Sequence, residues 1–200
     1  MGGVFMNRVI TIGRQYGSGG HEIGMKLAER LGIPFYDNEL IELAAKESNL
    51  SEKFFEQVED QAPPSRFFRP PYMVYQMPMS DQVFIAQSKV IKLLADKGPC
   101  VIVGRCANYV LKDYPIFSVF IHAPLKDRIQ RKLAMNIDVP EEKMEAHIKT
   151  VDKNRKKYYH YYTDWIWDSA TSYDLCINSG ELGVDGCVEL IEESLKRFEK

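Results

Sequence analysis

Nowhere in this chain of 200 residues does an apolar run approach the roughly 20 residues needed to cross a membrane. The opening MGGVFMNRVI lacks the apolar segment of a signal peptide. Met6 stands where myristoylation at Gly2 would require Ser or Thr. Cysteine is sparse. Cys100, Cys106, Cys176 and Cys187 make no CxxC pair, and three lie in or beside apolar runs. They read as buried or semi-buried reduced thiols rather than as disulfides or metal ligands. The histidines show no ligand spacing, so no residue is assigned to a metal site. Charge of neither sign dominates: the net value of −2 supplies no basic field for nucleic acid. Internal repeats and low-complexity linkers are also missing. These absences point to a cytoplasmic chain whose partners are neither nucleic acid nor membrane.

What is present suits one domain of ordinary size, with 45% hydrophobic residues to fill its core. Strand-like runs are expected at RVITI (8–12), IPFYD (33–37), CVIVG (100–104), FSVFIHA (117–123) and YDLCIN (173–178). Helical patterns separate them, at 19–31, 38–48, 51–60, about 81–97, 140–166 and 184–198, with a break in the penultimate one expected near its tyrosines. Strand alternating with helix predicts five parallel strands covered on both faces, with ligands at the carboxyl ends of the strands. The segment QAPPSRFFRPPYMVYQMPM (61–79) is rich in proline and reads as an irregular insertion.

One more absence sits inside a pattern. In ITIGRQYGSGGHEIG a buried strand enters a glycine-rich turn that opens a helix. Gly17, Gly19 and Gly20 permit positive φ and close approach of a ligand. The helix start behind them offers unpaired N–H groups to a phosphate. Gly17, Ser18, Gly19, Gly20 and His21 are therefore the candidate phosphate cradle; the alternative is a plain strand-to-helix turn. The lysine and hydroxyl of the usual loop are missing, replaced by Gly20 and His21.

The stretch ITIGRQYGSGGHEIGMKLAERLGIPFYDNELI resembles the opening of the cytidylate kinase-like proteins, relatives of bacterial cytidylate kinase among the P-loop nucleoside monophosphate (NMP) kinases. The resemblance continues, in order, in VIVGRCANYVL, FIHAPLKDRIQRK, VDKNRKKYYHYY and YDLCINSGELGVDGCVELI. It implies a three-layer α/β P-loop NTPase fold with sheet order 2-3-1-4-5. It also implies one domain over 1–200, with an NMP-binding insertion at about 38–85 and a short lid at about 126–158. Ordinary cytidylate kinases carry GSGKS or GSGKT, whereas the subfamily most resembled shares the lysine-free YGSGG loop.

Further site residues follow from this frame. Asp37 ends the second strand, where it caps the next helix or lies beside the acceptor, as a similar YxD aspartate does in these kinases. Arg105, in the family's GR motif, contacts the acceptor phosphate or else forms a structural salt bridge. Cys106 follows it where the kinases usually have Asp. Leu125, Ile129 and Leu133 recur at i, i+4 and i+8, so Arg128, Arg131 and Lys132 face solvent or cleft. The resemblance places lid arginines there. Asp152 and Arg155 make a plain i, i+3 pair or match the end of the family's RDxxDxxR run, with Arg155 on a phosphate. Arg66 and Arg69, on an expected flap over 61–80, reach the acceptor phosphate or only water. YYHYYTDWIW (158–167) reads as core packing or a homodimer surface before it reads as a base-stacking platform.

The expected activity is ATP-dependent phosphoryl transfer to a nucleoside monophosphate, with CMP or dCMP leading and Mg²⁺ arriving with ATP. The alternatives are a nucleotide or phosphometabolite sensor of the same fold, and a kinase of another small acceptor. Arg14 is expected to replace the missing lysine. Arg8 lies at the wrong end of the strand, and Lys26 lies roughly 9 Å up the helix. Arg14 leaves the strand at its carboxyl end, and Gly20 leaves room for it; its competing partner is a surface carboxylate such as Glu22.

Overall fold

The computed structural model describes residues 8–37 and 78–198. The expected helices at 38–48 and 51–60, most of the insertion, and both Arg66 and Arg69 lie outside the described residues.

Five strands, β1 (Val9–Arg14), β2 (Phe35–Tyr36), β3 (Val101–Val103), β4 (Ile116–His122) and β5 (Leu175–Asn178), form one parallel sheet in the order β2-β3-β1-β4-β5. Ile12 pairs with Val103 on one side and Val119 on the other, so the strand ends carrying Arg14, Gly104 and His122 gather along one edge. Strand β1 runs two residues beyond the expected end. Gly13 and Arg14 still pair with Phe120 and Ile121 of β4.

Alternation along the strands divides the core between the two faces. Ile10, Ile12, Val101 and Val103 pack under helices α1 (Gly20–Leu31) and α6 (Ser179–Phe198), with Ile23, Leu27, Val188 and Ile191. Val9, Cys100 and Ile102 pack under α2 (Met79–Asp96) and the single turn α3 (Ala107–Val110), with Val83, Val90, Ile91 and Leu94. Gly32 closes α1 at φ 65°, its N–H returning to the carbonyls of Ala28 and Glu29. Within α6 the backbone breaks at Gly183, φ 66°, and the main helix follows it, as the pattern beginning at 184 requires.

Helices α4 (Leu125–Ala134) and α5 (Glu141–Thr163) lie over the sheet edge. The expected break near the tyrosines is absent, and α5 runs unbroken until Asp164 turns left-handed at φ 57°. Its tyrosines hold the helix against the core. Tyr158 and Tyr159 join Phe120, Trp167 and Tyr173 in a third buried cluster. Core packing thus accounts for much of this aromatic run; Trp165 and Ile166 remain exposed. All four cysteines are free thiols, Cys176 exposed and the rest buried. No described helix is long and apolar enough to cross a membrane.

Candidate active site

The glycine-rich loop joins β1 to α1 and is fixed from several sides. Gly17 and Gly19 hold φ near +81° and +82°, which a side chain would resist. At Gly17 a Cβ would also lie 2.9 Å from the Arg128 carbonyl oxygen. The Ser179 hydroxyl donates to the Ser18 carbonyl at 2.6 Å, and the Ser18 hydroxyl donates to the Gln15 carbonyl at 2.9 Å. The Tyr16 N–H donates to Asp152 Oδ1 at 2.8 Å, and Arg128 donates to the Tyr16 carbonyl at 3.3 Å.

Asp152 and Arg128 also pair with each other at 2.5 Å, and both residues are buried. The apolar spacing of α4 left Arg128 facing solvent or cleft; it faces neither and is that helix's buried residue. The i, i+3 partnership of Asp152 with Arg155 gives way to this longer-range pair. Periodicity along one helix counts apolar positions. It cannot register a carboxylate supplied by α5.

Arg14 lies across the edge of the sheet between two glycines. A Cβ on Gly20 would sit 2.5 Å from Arg14 Cβ, and a Cβ on Gly104 would run into the Arg14 guanidinium. The partner of Arg14 is Asp37 at 3.8 Å rather than Glu22, which pairs with Arg131 at 3.3 Å. His21 Nε2 approaches the other Asp37 oxygen at 3.3 Å. Gly104, Arg105 and Cys106 form three successive left-handed residues, with φ of 85°, 57° and 54°. Such strain in two non-glycine residues costs on the order of 1 kcal/mol each and turns Arg105 toward the sheet edge. Arg105 is half-buried, with its Nε shielded from solvent. That burial, and then the neighbouring Arg14 charge, push its pKa down to about 10, still cationic at neutral pH.

Two cavities meet here. The larger, about 320 Å³, is walled by Tyr16, Gly17, Gly19, Gly20, His21 and Asp37, with Arg131 and Lys132 from α4. The smaller, about 50 Å³, lies under Arg105 and is lined by Thr11, Asn108, Tyr158 and Tyr173. Arg14 and Arg155 are the residues common to both walls. Arg155 also donates to the Arg14 carbonyl at 3.3 Å. The structure thus brings together Arg14, Arg131, Arg155, Asp37, His21 and the loop glycines, with Arg105 next door. It places Arg128 and Asp152 behind the loop. Tyr16 and Gly104 are contributors that sequence reasoning did not select. A tyrosine before GSGG and a glycine before Arg105 carry no mark of what they will touch.

Among the described residues, no group of three or more His, Cys, Asp or Glu side chains is arranged to hold a metal ion. What the arrangement offers instead is a cationic, half-enclosed cleft against helix N–H groups, suited to a polyphosphate.

The cytidylate kinase-like family model matches residues 9–181. No curated protein matches. Among solved structures, an uncharacterized protein from Eubacterium ventriosum ATCC 27560 aligns with TM-score 0.71 and 29% identity, over 94% of this chain and 98% of that one. Shikimate kinase from Bacteroides thetaiotaomicron aligns with TM-score 0.60 and 13% identity, over 94% and 98%. A gluconokinase from Sinorhizobium meliloti 1021 aligns with TM-score 0.58 and 14% identity, over 96% and 93%. The last two share the fold. The chain belongs to the cytidylate kinase-like family, and with that family it is a phosphotransferase built on the P-loop kinase fold.

Proposed function

We propose that this chain transfers the terminal phosphoryl group of ATP to a nucleoside monophosphate, CMP or dCMP first. The observation that carries the reading is the pair of arginines, Arg14 and Arg155, standing in the walls of both cavities. A phosphoryl group passing from one cavity to the other would pass between them. Transfer of this kind depends on positioning and charge neutralisation more than on covalent chemistry, so two fixed cations at the boundary are the parts it needs.

The backbone N–H groups of residues 17 and 19–21, leading into α1, hold the β-phosphate, that of Ser18 being turned to the Gln15 carbonyl, and Arg131 lies against Gly19 on the same side. The donor enters as its magnesium complex, the metal carried by phosphate oxygens and water. Arg105 aligns the acceptor phosphate from the smaller cavity. In this reading α4 and α5 form the lid. Arg128 and Asp152 act here by holding the loop in shape.

A second reading rests on His21. Its contact with Asp37 orients an imidazole in the wall of the larger cavity, where a hydroxyl acceptor seated beside it, rather than under Arg105, could give up a proton. Shikimate and gluconate, named by the structural neighbours, are such acceptors; a phosphate acceptor needs no base.

A coupled ADP-release assay with ATP and Mg²⁺ separates the readings. Release with CMP or dCMP above the no-acceptor rate is expected. Release with shikimate or gluconate alone would move the acceptor to the hydroxylated class. Nucleotide binding without release on any acceptor would leave a sensor.

A further inference from the structure

Lys132 occupies an unfavourable place. It projects from α4 into the loop cavity, half-buried, beside Arg131 and Arg155. Burial, and then those two positive charges, push its pKa below the usual lysine value. Among the described residues no carboxylate pairs with it; Glu22 is taken by Arg131. What Lys132 does contact is the face of Tyr16, 4.3 Å from Nζ to the ring centre, and the thioether sulfur of Met135 at 3.6 Å. Arg155 rests against the same ring at 5.4 Å, and His147 packs edge-on to it at 5.4 Å. A tyrosine face and a sulfur offset little of the cost of holding the Lys132 ammonium half-buried beside two other positive charges. A bound anion would lower that cost.

We propose that Lys132, seated on the ring of Tyr16, is the ammonium the glycine-rich loop lacks, delivered to the donor's polyphosphate from α4 instead of from the loop. Tyr16 is the positioning residue: its peptide is locked into the loop by Asp152, so its ring fixes Lys132 and Arg155 relative to the loop N–H groups. Arg14, whose guanidinium leans toward Gly104 and Asp37, then serves the boundary between cavities, and the two basic residues divide what one loop lysine does elsewhere. The inference rests on reading the loop as the donor site.

Calorimetric titration with inorganic triphosphate, and separately with ATP, tests it in the full chain. Lys132→Met should weaken triphosphate binding by about tenfold or more, the scale of one charge-assisted hydrogen bond. Lys132→Arg should restore most of it. Tyr16→Leu should lose affinity and its dependence on Lys132 together. Without ligand, Lys132→Met should melt at or above the wild-type temperature, because a crowded cation has been removed; a structural lysine would behave oppositely. Unchanged triphosphate affinity in Lys132→Met, with wild type binding well, overturns the role of Lys132 and leaves the donor site standing. Failure of Lys132→Arg to restore binding also overturns it. Failure of wild type to bind triphosphate or ATP removes the donor site itself. Should Lys132→Met fail to fold, Lys132→Gln and Tyr16→Leu carry the same comparison.

Discussion

Replacing Gly20 by alanine tests how the loop came to do without a lysine. Gly20 is the first residue of α1 and has no left-handed backbone. In an unobstructed helix, alanine there would gain up to about 1 kcal/mol over glycine. Here the new Cβ would lie 2.5 Å from Arg14 Cβ and 3.0 Å from its Cγ. Carbon atoms rest near 3.5–4.0 Å, so the overlap is about an ångström. A long side chain can usually swing away, but Cβ is bonded to the backbone of β1, and Arg14 is paired there with Ile121. Overpacking costs roughly 1–3 kcal/mol, and an overlap onto a Cβ that cannot move belongs in the upper half of that range, so after the helix gain a loss of about 1–2 kcal/mol remains. For a chain of this size that lowers the melting temperature by several degrees, on the order of 2–4 °C per kcal/mol. The offending atom also dictates the rescue. Arg14→Ala keeps the Cβ and should leave Gly20→Ala destabilised; Arg14→Gly removes it and should make Gly20→Ala neutral or stabilising. Thermal and urea unfolding of the single and double variants give the coupling directly. Gly20→Ala melting at or above wild type with Arg14 intact would refute the reasoning. It would also show that a loop lysine and Arg14 can coexist.

Two further outcomes are expected. Arg105→Ala should lower turnover by about 100-fold or more in a folded protein, the scale of a phosphate contact realised in the transition state, and undiminished turnover would remove Arg105 from the acceptor site. Burial pushes the Cys106 thiol up to about 12 from its ordinary 9.0, so folding favours the neutral thiol. The stability it contributes is complete below pH 9 and is lost from there toward pH 12, at up to about 1.4 kcal/mol per pH unit. Melting curves of Cys106→Ala should fall less steeply than wild type above pH 9, and parallel slopes would assign the alkaline loss to other groups.

Much of the scaffold was legible because it is written locally. Alternating apolar strands and helical spacing predict five parallel strands, and all five appear within two residues or so of their expected ends. The order of strands came from resemblance, since no local pattern states which strand lies beside which. The space at Gly20 for Arg14 was legible too, because the residue that ends the strand and the one that opens the helix face each other across a short turn. What escaped were relations between distant segments. Arg128 is buried because Asp152 meets it from another helix. The left-handed φ of Arg105 and Cys106 could not be anticipated from residues that ordinarily avoid it. Tyr16 gains its neighbours only when α4 and α5 fold over the loop.

The clasp behind the loop constrains how the site can open. Asp152 of α5 and Arg128 of α4 grip the N–H and the carbonyl of one residue, Tyr16, as well as each other. Neither helix can swing away as a rigid flap without pulling the loop out of register or stripping a buried ion pair. The clasp therefore works as a pivot. Any movement that would admit the proposed donor belongs to the parts of α4 and α5 beyond it, toward the turn at 135–140, where Met135, Asn136 and Asp138 are exposed and Asn136 is left-handed. A lever pinned this close to the phosphates would transmit any tilt of its free end as a small displacement at its root. The cradle would stay set while its cover moved.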